Sequence, residues 1–134
     1  MKFMLDTNMC IYIIKKKPAS VFEKFQSMQI GDVAISTITL AELHFGVHRS
    51  AQPDRNREAL NSFTIPLEIM PFDEAAALCY GRIRAHLHAR GIPIGGMDML
   101  IAAHAQSLSF TLVTNNTREF ERIPDLVLEN WIQR

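Results

Sequence analysis

The chain has 134 residues, is 48% hydrophobic and balances 14 basic against 14 acidic side chains, for a formal charge of zero at pH 7. That size predicts one domain over residues 1–134 with a real core, and the apolar content excludes disorder. No apolar run approaches the roughly 18–20 residues that span a bilayer, and the first residues lack the basic-then-apolar pattern of a leader, so a soluble cytoplasmic protein with no membrane contact is expected. Neutrality removes the simple argument for polyanion binding, and any nucleic acid must be held by local patches.

In chain order, strands are predicted at Lys2 to Asp6, Val33 to Ser36, about Leu67 to Met70, Thr111 to Thr114 and Val127 to Asn130. Helical periodicity runs from Ala19 to Met28, Thr37 to Arg49, Arg55 to Phe63, Asp73 to Arg90 and Asp98 to Leu108, and a further helix follows the first strand. Strands alternating with helices predict an α/β fold in three layers, a central, mostly parallel sheet of about five strands covered by helices. Asp73 is placed to cap the long helix and Gly91 to end it in a left-handed conformation. Pro93, Gly95 and Gly96 then force an irregular loop that delivers Asp98 to the next helix. Cys10 and Cys79 follow no ligand spacing and read as reduced thiols in or near the core.

Three acids stand out. The run Phe3-Met4-Leu5-Asp6 ends an apolar strand in a carboxylate, at the edge where open α/β sheets place their ligands. A bland reading has Asp6 or Thr7 capping the next helix. Glu42, in Thr37-Ile38-Thr39-Leu40-Ala41-Glu42, shares a helical stripe with Ile38, Phe45 and Arg49, although Thr39-x-x-Glu42 also has the form of a capping box. Asp98 opens a helix that is apolar nearly all round, where it also suits the helix dipole. Three carboxylates in one crevice would repel one another and raise their own pKa values unless a cation balanced them. Oxygen donors without a Cys or His set favour Mg²⁺ or Mn²⁺ over Zn²⁺.

Together with Thr114-Asn115-Asn116-Thr117-Arg118-Glu119-Phe120, these motifs resemble the PIN-domain ribonucleases and, more narrowly, the VapC toxins of bacterial toxin–antitoxin pairs. The resemblance implies a metal-dependent endoribonuclease that cuts structured RNA, such as a tRNA anticodon stem-loop and in particular initiator tRNA, and so inhibits translation. It makes Asp6, Glu42 and Asp98 the metal-holding catalytic residues and puts Asn116, rather than an acid, at the family's fourth position. Thr7, Asn8 and Thr114 would orient the carboxylates from behind. A metal-activated water would attack phosphorus in line, leaving a 5′-phosphate and a 3′-hydroxyl. The resemblance also implies a homodimer, a VapB-like antitoxin partner, a toxin–antitoxin hetero-oligomer and contact with operator DNA only through the antitoxin.

Candidate RNA contacts are Arg82, Arg84, Arg90 and Lys15, of which the arginines lie on stripes of one helix with His86 and His88. Ile11, Ile14, Phe22 and Phe25 are candidates, some of them, to line an apolar trough between the first two helices and Leu40 or Leu43 that seats an amphipathic antitoxin segment. His44 and His48 lack a third ligand at a recognisable spacing, and His104 reads as a hydrogen-bonded core histidine. Two rivals stand beside the toxin. One is a catalytically weak PIN module that binds RNA or protein, supported by Asn116 and the neutral charge. The other is a small phosphatase, which the missing Asp-x-Asp disfavours.

Overall fold

Short apolar runs closed by polar residues become five strands: β1 (Phe3–Leu5), β2 (Val33–Ser36), β3 (Glu68–Met70), β4 (Thr111–Val113) and β5 (Leu128–Glu129). The structure, a computed structural model, describes residues 2–132, so Met1, Gln133 and Arg134 of the expected 1–134 span lie outside the described residues. The sheet has the order β3-β2-β1-β4-β5, and every pairing is parallel. Adjacent residues of the inner strands point to opposite faces, as the pleat requires. Met4 and Leu112 enter one apolar cluster, and Leu5, Ile35 and Val113 enter the other.

Among the described residues seven helices cover the two faces. The first four are α1 (Thr7–Lys15), α2 (Ala19–Gln26), α3 (Thr37–His48) and α4 (Pro53–Thr64). They share a cluster built on Met9, Ile13, Val21, Leu43, Val47, Leu60 and Phe63. Opposite them lie α5 (Glu74–Ala89), α6 (Gly96–Ser107) and α7 (Thr117–Phe120), around Ile83, Leu87, Met99, Ile101 and Phe120. Both cysteines are buried and free. No helix of the described residues is long and apolar enough to cross a membrane.

The expected elements are present with shifted ends. Asp6 lies outside β1 as the cap of α1. Helix α6 starts at Gly96, so Asp98 sits within its first turn rather than at its start. A glycine pair reads as loop, yet the first residues of a helix have N–H groups that need no intrahelical acceptor. Helix α7 carries no periodic signal because four residues contain little more than one turn.

The end of α5 fulfils the expectation for Gly91. Its φ is +67°, its N–H donates to His88 O at 3.1 Å, and Ile92 N–H donates to Leu87 O at 3.0 Å, the paired bonds of a Schellman motif. A Cβ at Gly91 would meet nothing within 4 Å, so only backbone conformation opposes a side chain there. Gly91→Ala is therefore expected to destabilise the fold by about 1–2 kcal/mol and Gly91→Asn by less, measured by urea unfolding. Equal stability of the alanine variant would contradict this account of the helix end.

Candidate active site

Strand order places the site. The chain runs from central β1 outward through β2 to β3, then returns to β4 on the other side of β1. The carboxyl ends of β1 and β4 therefore flank a topological switch point, where the connections diverge and leave a crevice. Asp6 and Thr114 directly follow those two strands, and Asp6 N–H donates to Val113 O at 3.1 Å.

Asp6 is only 5% exposed. Its Oδ1 accepts the Met9 N–H at 2.8 Å, and its carboxylate is also hydrogen-bonded by Thr114. Thr114 Oγ1 in turn accepts the Asn116 N–H at 2.9 Å, which leaves its hydroxyl proton to Asp6. Burial raises the Asp6 pKa above the ordinary carboxylate value; Thr114 and Met9 oppose that rise and the charge of Glu42 adds to it. The helix-capping role of Asp6 is thus real and coexists with its place in the crevice.

Glu42 is half-buried on α3, and its Oε1 accepts a short hydrogen bond from the Thr7 hydroxyl. The capping-box alternative fails: Ser36 caps α3 by accepting the Ile38 N–H at 3.0 Å, while Thr39 is buried inside the helix without a side-chain partner. On the same stripe as Glu42, Phe45 is exposed, with the Arg49 guanidinium 5.4 Å from its ring centre. Asp98 is pushed up to about 6, first by burial and then by the charges of Asp6, Glu119 and Glu42.

Glu119 is the residue that sequence reasoning missed. It joins the cluster from α7 and is held by Asn116, whose Nδ2 donates to Glu119 Oε2 at 3.0 Å. Asn116 itself is exposed, with its amide directed to Glu119. The available signal was Asn116-x-x-Glu119, a helix-start pair in which the acid, three residues on, returns over the turn. Asn8 is exposed in the first turn of α1.

The basic candidates separate. Arg84 and His88 line a cavity with Tyr80, Pro93, Gly96 and Met99, beside the turn of α6 that carries Asp98, and Arg84 donates to the Tyr80 hydroxyl at 2.9 Å. Arg82 instead lines a cavity with Ser109 and Phe110, which precede β4 and so lie at the opposite end of the sheet. Arg90 is exposed beyond α5, and Lys15 is exposed at the end of α1.

An apolar groove of about 340 Å³ lies between α1, α3 and α4, lined in part by Ile11, Ile14, Glu42, Leu43, Gly46 and Leu60. Of the trough candidates, Ile11, Ile14 and Leu43 line this groove, whose remaining wall is α4 rather than α2. Phe25 packs against Phe63, ring centres 5.8 Å apart, and Phe22 and Leu40 pack on the core, so none of the three lines the groove.

Comparison with known proteins decides the family. The PIN domain family matches residues 3–126. A "tRNA(fMet)-specific endonuclease VapC" of Shigella flexneri is 48% identical over 131 residues, 98% of each chain. The structure of VapBC2 from Rickettsia felis, bound to a DNA fragment from its promoter, superposes with a TM-score of 0.93 at 43% identity, covering 98% of this chain and 100% of that one. DNA-bound VapBC from Salmonella typhimurium gives 0.93 at 45%, covering 98% and 99%. The chain belongs to the VapC branch of the PIN-domain family.

The resemblance of PIN nucleases implies a divalent cation, and the donors here fit one. The charges of Asp6, Glu42 and Glu119 act on Asp98, and that of Glu42 acts on Asp6. The recorded ion pairs of the described residues, Lys2–Glu68 and Arg57–Asp54, involve none of them. Among the described residues no three His, Cys, Asp or Glu side chains converge as a closed cage. The fit rests on donor chemistry: carboxylate oxygens completed by water are the ligand set that Mg²⁺ takes. His44 and His48 form no such group either.

Asp98 yields a pH prediction for the metal-free PIN fold. Its folded pKa of about 6 exceeds the ordinary 3.8. Between those values the folded state binds more protons than the unfolded state, so the stabilisation is complete below pH 4 and is lost as pH rises through 6. In EDTA, Asp98→Asn is therefore expected to raise the melting temperature relative to the unsubstituted protein at pH 7.5, with the gap closing toward pH 4. A gap independent of pH, measured by calorimetry, would refute the assignment of that proton to Asp98.

Proposed function

We propose that this protein is a Mg²⁺-dependent endoribonuclease toxin, with Mn²⁺ as a substitute ion, that cleaves a tRNA anticodon stem-loop and inhibits translation until a VapB-like antitoxin binds it. The observation that carries the reading is the buried Asp6 at the switch point, acted on by the charge of Glu42, beside Asp98, on which Asp6, Glu42 and Glu119 all act, with none of the four in the ion pairs of the described residues. Initiator tRNA is the first candidate substrate because a relative 48% identical over nearly the whole chain is a tRNA(fMet)-specific endonuclease. The antitoxin, a homodimer, a larger toxin–antitoxin assembly and operator DNA reached through the antitoxin rest on the similar VapBC complexes, two of them DNA-bound. Cytoplasmic action follows from such a substrate.

In this reading Asp6, Glu42 and Asp98 hold the ion, with Glu119 as the fourth acid and Asn116 as its support. When bound, Mg²⁺ supplies charge that stabilises a phosphodiester transition state and lowers the pKa of water. Thr114 and the Met9 N–H oppose the rise that burial imposes on the Asp6 pKa, and Thr7 fixes one rotamer of Glu42. Arg84 and His88, beside the Asp98 turn, are the basic groups placed to hold backbone phosphates without reading sequence. Glu119 weakens the rival of a catalytically feeble PIN module, since that reading leaned on a missing fourth acid.

Asp6→Asn, Glu42→Gln and Asp98→Asn are each expected to lower cleavage of initiator tRNA by more than about 100-fold, with double variants little worse because the groups act as a unit. Glu119→Gln should cost about tenfold. The assay compares initiator and elongator tRNA with purified, antitoxin-free protein in Mg²⁺ and in EDTA. Full activity in EDTA would sink metal dependence, and equal cutting of both tRNAs would sink the substrate.

The groove gives a separate prediction. Gly46 lines it, and a Cβ there meets nothing within 4 Å, so Gly46→Leu fills the groove without disturbing the core. Inhibition by the cognate antitoxin is expected to weaken about tenfold or more, with RNA cleavage retained. Unchanged inhibition would place the antitoxin elsewhere.

A further inference from the structure

His104 is a fully buried titratable side chain, 1% exposed, with no part in the chemistry above. Its Nδ1 lies 2.7 Å from Ser36 Oγ, and its ring also hydrogen-bonds the backbone of Pro71, which has only a carbonyl to offer. The remaining ring nitrogen, Nε2, must therefore donate, which fixes the tautomer. Nδ1 is then an acceptor, and the Ser36 hydroxyl donates to it while accepting the Ile38 N–H at 3.0 Å. The proton direction is single along the whole chain, from Ile38 through Ser36 and His104 to Pro71.

Three segments meet there. Phe72 stands edge-on to the imidazole, ring centres 5.4 Å apart, and its N–H donates to Thr37 Oγ1 at 3.2 Å. Asp73, the cap of α5, is the charged group facing the ring. The corner between β2 and α3, the segment between β3 and α5, and α6 are thus clasped at one imidazole. Glu42 lies six residues beyond Ser36 on α3, and Asp98 six residues before His104 on α6. At 1.5 Å per residue each acid is about 9 Å along its helix from the clasp. A 10° change in helix setting would displace either acid by about 1.5 Å, several times the tolerance of about 0.5 Å for a working site.

We propose that His104 is a positioning residue for the cation site: by bridging Ser36 to Pro71 it fixes α3 against α6, and so Glu42 against Asp98. Burial holds the imidazole below its ordinary pKa, in keeping with the neutral form the bonds require. Groups that hydrogen-bond a metal ligand directly are worth about 10–100-fold in metal affinity, and a residue acting through helix setting is expected at the lower end of that range.

The proposal rests on the reading of Glu42 and Asp98 as cation ligands, so its test measures Mn²⁺ alone binding to the full antitoxin-free chain by calorimetric titration at pH 7.5. His104→Leu is expected to weaken Mn²⁺ about tenfold, and His104→Asn, which keeps an acceptor toward Ser36, to recover most of it. Ser36→Ala should weaken Mn²⁺ to a similar extent and add nothing to His104→Leu. The Mg²⁺ requirement for cleavage should rise while KM for tRNA holds. Unchanged Mn²⁺ affinity in a folded but less stable His104→Leu protein would reduce His104 to core packing. If that variant does not fold, unchanged affinity in Ser36→Ala overturns the clasp instead. Asp98→Asn separates the two readings: no loss of Mn²⁺ there overturns the cation site itself, whereas loss there with none in His104→Leu overturns only the clasp.

Discussion

Burying the carboxyl group of Asp6 at the end of β1 is the constraint on which the rest of the site depends. Removing a carboxylate from water costs several kcal/mol even after relaxation. Two hydrogen bonds to a charged acceptor, from Met9 N–H and Thr114, return about 3–6 kcal/mol. The balance still leaves the Asp6 pKa raised, with Glu42 adding to the rise. The crevice therefore favours positive charge, whether from an ion or from a side chain brought by a partner. Asp98, pushed up to about 6 by the same burial and by its acidic neighbours, reinforces that preference.

The fold supplies this concentration of acid at modest structural cost, because each residue near the site also has a local task. Asp6 caps α1, so a helix start depends on the carboxylate that the crevice strains. Thr114 links β4 to Asp6 and accepts the N–H of Asn116, which in turn holds Glu119. Ser36 caps α3 and meets His104. Substitutions at such positions change stability and site geometry together, so direct ion titration distinguishes more than activity alone.

What was legible in the sequence follows from the range of the signals. The five strands and long helices were visible because apolar runs and breakers are local, and Asp6, Glu42 and Asp98 were visible through motif and stripe. Glu119 was not, because α7 is about one turn long and carries no periodic signal. The wall that α4 gives the groove was hidden for a different reason. Helix α4 reads as polar, yet Leu60 and Phe63 are buried while Asn56 and Ala59 line the groove, and Phe63 takes up Phe25 of α2. Which of two apolar helices becomes a wall and which a core element is a tertiary outcome. Likewise, Thr39-x-x-Glu42 matches a capping box, but the helix begins three residues earlier at Ser36, and Thr7 takes the acid.

Helix α3 joins the two functions proposed for the protein. One face of it, Thr39, Leu43 and Val47, is buried. The adjoining edge carries Glu42 toward Thr7, and Glu42, Leu43, Gly46 and Val47 all line the groove. A segment seated there touches the same turns that present a carboxylate to the crevice. Its basic side chains then have a short path to the charges that a divalent ion would otherwise balance. Inhibition in this arrangement needs no distant conformational relay, only a partner whose apolar face fills the groove and whose cation competes for Glu42 and its neighbours. The zero net charge of the chain fits the same logic. With four acids gathered at one edge, the proposed reading assigns attraction for RNA to a bound ion and to Arg84 and His88 beside the Asp98 turn, so in that reading whatever neutralises the cluster also controls access of the substrate.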